Sequence, residues 1–196
     1  MDVTAVTLRL HPKANEFLFE HYATVRKVFS DVLGQLETDY ISIALINTSQ
    51  QVFFLSSKPS IEQNLIENRL WRFDGCNQPE FFNQNQPKLW SELPHKDFEE
   101  VIERHKQVEP GLVSGIAIPD EFQSYKVVFS FGLKRINPEI QSKNAIHCKK
   151  LLAMGKFSLQ RISEYLTFPD KLPVRQTKPK LTLIINNKVS HEYTPG

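Results

Sequence analysis

Residues 39–59, DYISIALINTSQQVFFLSSKP, decide the architecture. In the first half, Tyr40, Ser42, Ala44 and Ile46 fall on one phase of a two-residue repeat, and Ile41, Ile43 and Leu45 fall on the other. Residues 47–50 carry turn chemistry, and Val52, Phe53, Phe54 and Leu55 resume the strand pattern, so the stretch predicts an antiparallel hairpin. Neither strand alternates strictly between apolar and polar residues. Both faces of the resulting sheet are therefore expected to be partly covered.

Upstream, residues 14–36 place Phe17, Leu18, His21, Val25, Val28, Phe29, Val32 and Leu36 at spacings of three and four, which predicts one helix with an apolar stripe. Downstream, serine after Pro59 and an early Glu62 open a short helix over 60–71, with Ile61 and Leu65 turned inward. Residues 72–96, RFDGCNQPEFFNQNQPKLWSELPHK, hold three prolines, Gly75 and many amides, and predict a long structured loop anchored by Phe73, Phe81, Phe82 and Trp90. Loops of this length in a compact domain often act as lids. Residues 97–106 predict a short amphipathic helix with Phe98, Val101 and Ile102 inward.

Two more strands come next, LVSGIAIP over 112–119 and SYKVVFSFGLKR over 124–135, joined by a turn at 120–123. A long helix over about 138–166 closes the pattern, with Phe157 and Tyr165 among its buried positions and Gly155 as a kink. This order predicts an α+β fold, a PAS/GAF-like α/β/α sandwich with a central antiparallel sheet and helices on both faces.

Composition narrows the function classes. The chain has 196 residues, enough for one well-buried domain plus a tail, and the expected division is a regulatory domain at 1–168 and a linker with C-terminal tail at 169–196. Lysine and arginine total 24 against 22 aspartates and glutamates, without a basic block, so this chain by itself lacks the footprint of a nucleic-acid-binding face. The N-terminus lacks the pattern of a secretory signal and no apolar run approaches a membrane span, so the expectation is a cytoplasmic protein without membrane contact. Cys76 and Cys148 stand far apart without metal-ligand spacing and read as ordinary thiols.

No HExxH, GxSxG or glycine-rich phosphate loop is present. His147 and Cys148, adjacent on a helix, point about 100° apart and do not form a base and nucleophile. Neither an enzyme nor a cofactor is expected.

The succession of long helix, hairpin, KLWSELP (88–94), short helix, GLVSGIAIP (111–119), VVFSFGLKR (127–135) and long helix resembles the N-terminal signal-binding domain of LuxR-type transcriptional regulators. The resemblance covers about 14–168. It implies an α/β/α sandwich that holds a small molecule such as an acyl-homoserine lactone between the sheet and one helical layer. It also implies a homodimer and a helix-turn-helix output module after a linker like 169–180, and the chain ends before such a module would fit. The family pattern has a tryptophan and a tyrosine on the helix, an Asp-Pro pair after it, a tryptophan in the lid and a glycine in the third strand. Here Asp74 takes the aspartate place, Gly75 replaces the proline, Ile61 and Leu65 stand for the two aromatics, and Trp90 and Gly115 match the remaining two. The missing aromatics argue against an acyl-homoserine lactone and for a pocket of different content, or one that has filled in.

The candidate ligand-binding set is therefore Asp74, Trp90, Gly115, Ala117, Ile61 and Leu65, with Trp71 and Phe73 from the lid. Tyr40, Ser42, Phe54, Ser56 and Ser130 join it from the strands. Gly115 has two readings, since a glycine in a strand leaves room either for a ligand or for Trp90 itself. Asp74 is a turn residue if exposed; if buried it needs a donor. The expected function is a regulatory domain that binds a small amphipathic molecule and controls dimerisation or a DNA-binding module. The alternative is a ligand-free interaction domain with a filled core.

Overall fold

The computed structural model describes residues 8–95 and 97–170. The tail expected at 169–196 lies outside the described residues from 171 onward, including its strand-like piece.

A six-stranded sheet forms the centre, in the order β1-β3-β2-β6-β5-β4. Strand β1 is Arg9–Leu10, β2 Tyr40–Ile46, β3 Gln51–Ser56, β4 Lys88–Leu89, β5 Ser114–Phe122 and β6 Tyr125–Leu133. Every pairing is antiparallel except that of β1 with β3. The hairpin of β2 and β3 is in place, and the two phases of β2 separate as its pattern requires. Ile41, Ile43 and Leu45 enter one apolar cluster with Phe53, Phe129 and Phe131, whereas Tyr40, Ala44 and Ile46 enter a second cluster with Phe54 and Val128. The sheet is thus covered on both faces. Burying an aliphatic or aromatic side chain contributes about 1.5–3 kcal/mol, so two full faces hold this sheet without help from charge.

The first face is covered by α2 (Tyr22–Ser30) and α7 (Ala145–Tyr165), the second by α3 (Pro59–Glu67), α4 (Pro79–Phe82) and α5 (Glu99–Glu103). Helix α1 (Ala14–Glu20) lies at the β3 edge and divides its residues, Phe17 going to one cluster and Leu18 to the other. That division explains why the single helix expected over 14–36 is broken at His21. A straight rod cannot follow the sheet edge and then lie against α7.

The long helix expected over 138–166 is likewise two helices, α6 (Pro138–Gln141) and α7. Asn137 and Asn144 each accept two backbone N–H bonds at the start of their helix, and such N-caps fix where a helix begins. Helix α7 runs through Gly155, which makes room for Phe129; a Cβ there would stand 2.5 Å from the ring. Phe157 and Tyr165, expected inside, are 50% and 59% exposed, because Leu151, Ser158, Leu159 and Ile162 define the buried face. Phe98 and Val101 are also partly exposed, at 39% and 38%, and Ile102 alone of that trio is fully buried. Strand β5 continues past Pro119 to Phe122, so the turn narrows to Gln123 and Ser124, with Gln123 at φ 55°. The 72–96 loop is more regular than expected, since it contains α4 and the edge strand β4. Among the described residues no helix is long and apolar enough to cross a membrane.

Candidate functional site

Strand register builds the floor of the site. Ser42 pairs with Ser56 on one side and Ser130 on the other, and Ser130 pairs with Ala117. Four small residues thus form a row across β3, β2, β6 and β5 on the face covered by α3. One register step away, Tyr40 pairs with Gly132 and Gly132 with Gly115. The result is a trough in an otherwise bulky sheet.

Trp90 fills one end of the trough. An added Cβ at Gly115 would lie 2.2 Å from the indole, and one at Gly132 2.9 Å from its far edge. In this structure the space left by Gly115 is taken by the indole of Trp90. The indole Nε1 donates to Ser130 Oγ at 2.9 Å, and Trp90 is 2% exposed. Beyond the lid tryptophan, Glu92 accepts from the Leu89 N–H at 2.9 Å and from Lys143 Nζ at 2.6 Å, which ties the segment down at its outer edge.

Asp74 is buried, 3% exposed, and has the donors that its burial demands. One carboxylate oxygen accepts from the Cys76 N–H at 3.0 Å and the other from Lys106 Nζ at 2.7 Å. Burial pushes the Asp74 carboxyl upward, but the charge of Lys106 and these hydrogen bonds outweigh it and hold its pKa below the usual value. Lys106 is itself buried. Burial works against its charge, and Asp74 more than offsets this, so the ammonium is held above its ordinary pKa. The Lys106 head also lies 3.4 Å from Cys76 Sγ and 4.8 Å from the centre of the Trp90 ring, a cation–π contact. Burial and Asp74 push the Cys76 thiol up to about 12, so it is not a nucleophile.

Lys106 comes from a turn of π-helix, Arg104–Val108, that extends α5. One extra residue in the turn rotates the rest of the segment about the helix axis, and such turns are frequent at functional sites. Gly75, which stands where the family pattern has proline, has its own reason. Its N–H donates to His95 Nδ1 at 3.1 Å, and a Cβ there would meet Leu93 at 2.7 Å. Proline has no N–H and would collide with the lid. His95 accepts through Nδ1 and is therefore neutral, in keeping with a pKa that burial lowers despite Asp74 nearby.

The second buried polar pair is Tyr40 and Glu62. The Tyr40 hydroxyl donates to Glu62 Oε1 in a short hydrogen bond. Glu62 Oε2 has no hydrogen-bond partner of sound geometry, although the Ser56 and Ser42 hydroxyls stand close enough to favour its ionised form. Burial dominates and raises the Glu62 pKa. Tyr40 is pushed well above its ordinary value by burial and by that carboxylate.

A space of about 30 Å³ remains between these groups. That is about the volume one water occupies in the liquid. Of the residues expected at the site, Tyr40, Ser42, Phe54 and Leu65 line this space, as do Trp71, Asp74 and Ser130. Ser56, Ile61 and Ala117 are buried around it without lining it, and Trp90 and Gly115 form the closed end. Phe73 lies to one side, its ring tilted against that of Phe98 with centroids 4.6 Å apart. Sequence reasoning missed Lys106 and reduced Glu62 to a helix-start residue. A lysine and a glutamate on short amphipathic helices read as solvated, and only the π-turn and the first turn of α3 bring them inside. Among the described residues no group of three or more His, Cys, Asp or Glu side chains is placed to hold a metal ion.

No protein-family model and no curated protein matches the sequence. Solved structures do. SdiA in complex with octanoyl-rac-glycerol matches with a TM-score of 0.56 at 18% identity, over 82% of this chain and 71% of that one. The N-acylhomoserine lactone-dependent LuxR-family transcription factor CepR2 of Burkholderia cenocepacia matches with a TM-score of 0.54 at 12% identity, over 77% of this chain and 97% of that one. The VqsR ligand-binding domain of Pseudomonas aeruginosa matches with a TM-score of 0.50 at 12% identity, over 76% and 95%. Together with the antiparallel sheet, its two helical layers and the Trp90 lid, these likenesses establish that the chain has the fold of a LuxR-type signal-binding domain.

Proposed function

We propose that this is the regulatory, signal-binding domain of a LuxR-like transcription factor, with its signal site filled at rest by the protein's own side chains. The observation that carries the reading is Lys106, whose buried ammonium stands 2.7 Å from Asp74 under the Trp90 lid. Each group suited to hold a small molecule already has a partner inside the protein: Trp90 has Ser130, Asp74 has Lys106, and Tyr40 has Glu62. Pockets for small organic ligands measure roughly 300–1,000 Å³, at least ten times the space left here. A small amphipathic signal therefore acts by displacing Lys106 and the lid, and the domain responds to the extent that the ligand favours the open arrangement. Acyl-homoserine lactones and acylglycerols, neutral molecules that offer nothing to replace the Lys106 charge, are not the ligands of this site.

The readout is association. Ile146, Phe157 and Tyr165 on α7 are 68%, 50% and 59% exposed, which supports a homodimer through that helix. Any contact with DNA is made by a separate module. Phe157→Ser is expected to weaken self-association in sedimentation runs, and equal association of both proteins would remove α7 from the interface. These same exposed residues favour the second reading, a ligand-free interaction domain.

Thermal unfolding with octanoyl-glycerol and with an acyl-homoserine lactone separates a closed from an open site. The proposal expects an unchanged midpoint with both compounds. A concentration-dependent rise, which binding to the native state produces, would sink it.

A further inference from the structure

A buried ion pair is a poor stability device. Replacing one by apolar residues of equal volume is often neutral or stabilising, because two charges lose their water and recover only part of that loss from each other. Asp74 and Lys106 therefore call for a reason other than holding the fold, and their surroundings supply one. The Lys106 ammonium is held by a carboxylate at 2.7 Å, a sulfur at 3.4 Å and an indole face at 4.8 Å. A carboxylate with an aromatic wall is the arrangement that recognises an ammonium ion. A second carboxylate, Glu62, lines the same cavity, is 4% exposed and leaves Oε2 without a partner. The cavity thus holds two carboxyl groups against one resident cation.

We propose that the cavity is a recognition site for a primary ammonium group, that Lys106 is its tethered occupant, and that its external ligand is an amphipathic alkylammonium ion. This rests on the reading of the cavity as the signal site and names the chemical class of the signal. The head of such a molecule takes over the Asp74 carboxylate and the Trp90 face when Lys106 swings out on its π-helical turn. Its chain follows the apolar walls of Leu65, Phe54 and Val128.

The test uses the full chain with Lys106→Ala. The fragment removed by this substitution, three methylenes and an ammonium, is propylammonium. The variant is expected to melt lower than the wild type and to recover as propylammonium chloride is added at constant ionic strength. Neither 1-propanol nor propionate restores it, and Asp74→Asn in the same background abolishes the recovery. The wild type carries its own ammonium at a high effective concentration, so its response to propylammonium is weaker by roughly tenfold or more. Where Lys106→Ala is largely unfolded alone, the folded fraction by circular dichroism is followed against added amine, with the same expectation. No recovery, or equal recovery with propanol, overturns the proposal. Its failure is separate from that of the closed-site reading, which falls only when the wild type binds octanoyl-glycerol or an acyl-homoserine lactone.

Discussion

Lys106 and Asp74 form a buried charge pair at the centre of the site. Removing one partner of a buried pair leaves an uncompensated charge at a cost of about 3–5 kcal/mol, whereas neutralising both costs far less. Lys106→Met is therefore expected to lose several kcal/mol in urea unfolding, and Lys106→Met with Asp74→Asn to regain most of it. Equal losses in the single and double variants would mean that the pair is not coupled. His95 supplies a pH signature. Its pKa is lowered in the folded protein, chiefly by burial, from its ordinary value of 6.5. Its contribution to stability is full above that value and is lost as pH falls through 6.5 toward the folded pKa. Glu62 acts in the opposite sense, because its raised pKa makes protonation stabilising as pH falls toward its ordinary value of 4.5. The difference between wild type and His95→Asn isolates the histidine. The wild type should lose stability relative to the variant as pH falls below 6.5, and parallel pH profiles would contradict the neutral, accepting role of His95.

Elements were legible from sequence where one periodicity served one surface. The β2 phases separated cleanly because each odd and even residue meets a different helical layer. The row of Ser42, Ser56 and Ser130 was legible in part, as small polar residues on strands, though pairing register is what brings the three side by side. Helix breaks at His21 and Lys143 were not read, since the apolar spacing continues across both and only the path of the chain over the sheet demands them. Asn144 carried a cap signal, but a long apolar stripe hid it. Gly155 is an instance where packing outweighs propensity. Alanine is a better helix former than glycine by about 1 kcal/mol. Its Cβ would nonetheless stand 2.5 Å from Phe129, a fully buried ring, and overpacking costs about 1–3 kcal/mol. Gly155→Ala is expected to lower the denaturation midpoint, and a gain in stability would show that Phe129 yields easily.

At the scale of the whole molecule, the sheet and its two layers are those of proteins that include SdiA and CepR2, although identity is only 12–18% among the matches described. In this chain the fold is built from apolar residues on both faces of the sheet, with small residues beneath Trp90. The content of the cavity is under separate control. Asp74 and Trp90 were singled out in the sequence by resemblance, but their partners, Lys106 and Ser130, come from the π-helical turn after α5 and from the sheet, where no local pattern marks them. The decisive property is therefore whether the cavity is closed by Lys106 rather than by a guest. Native mass spectrometry of the intact chain, folded in cells supplied with octanoyl-glycerol or an acyl-homoserine lactone, addresses this directly. A cavity closed by Lys106 predicts the bare polypeptide mass from both cultures, and a stoichiometric complex with either compound would contradict it.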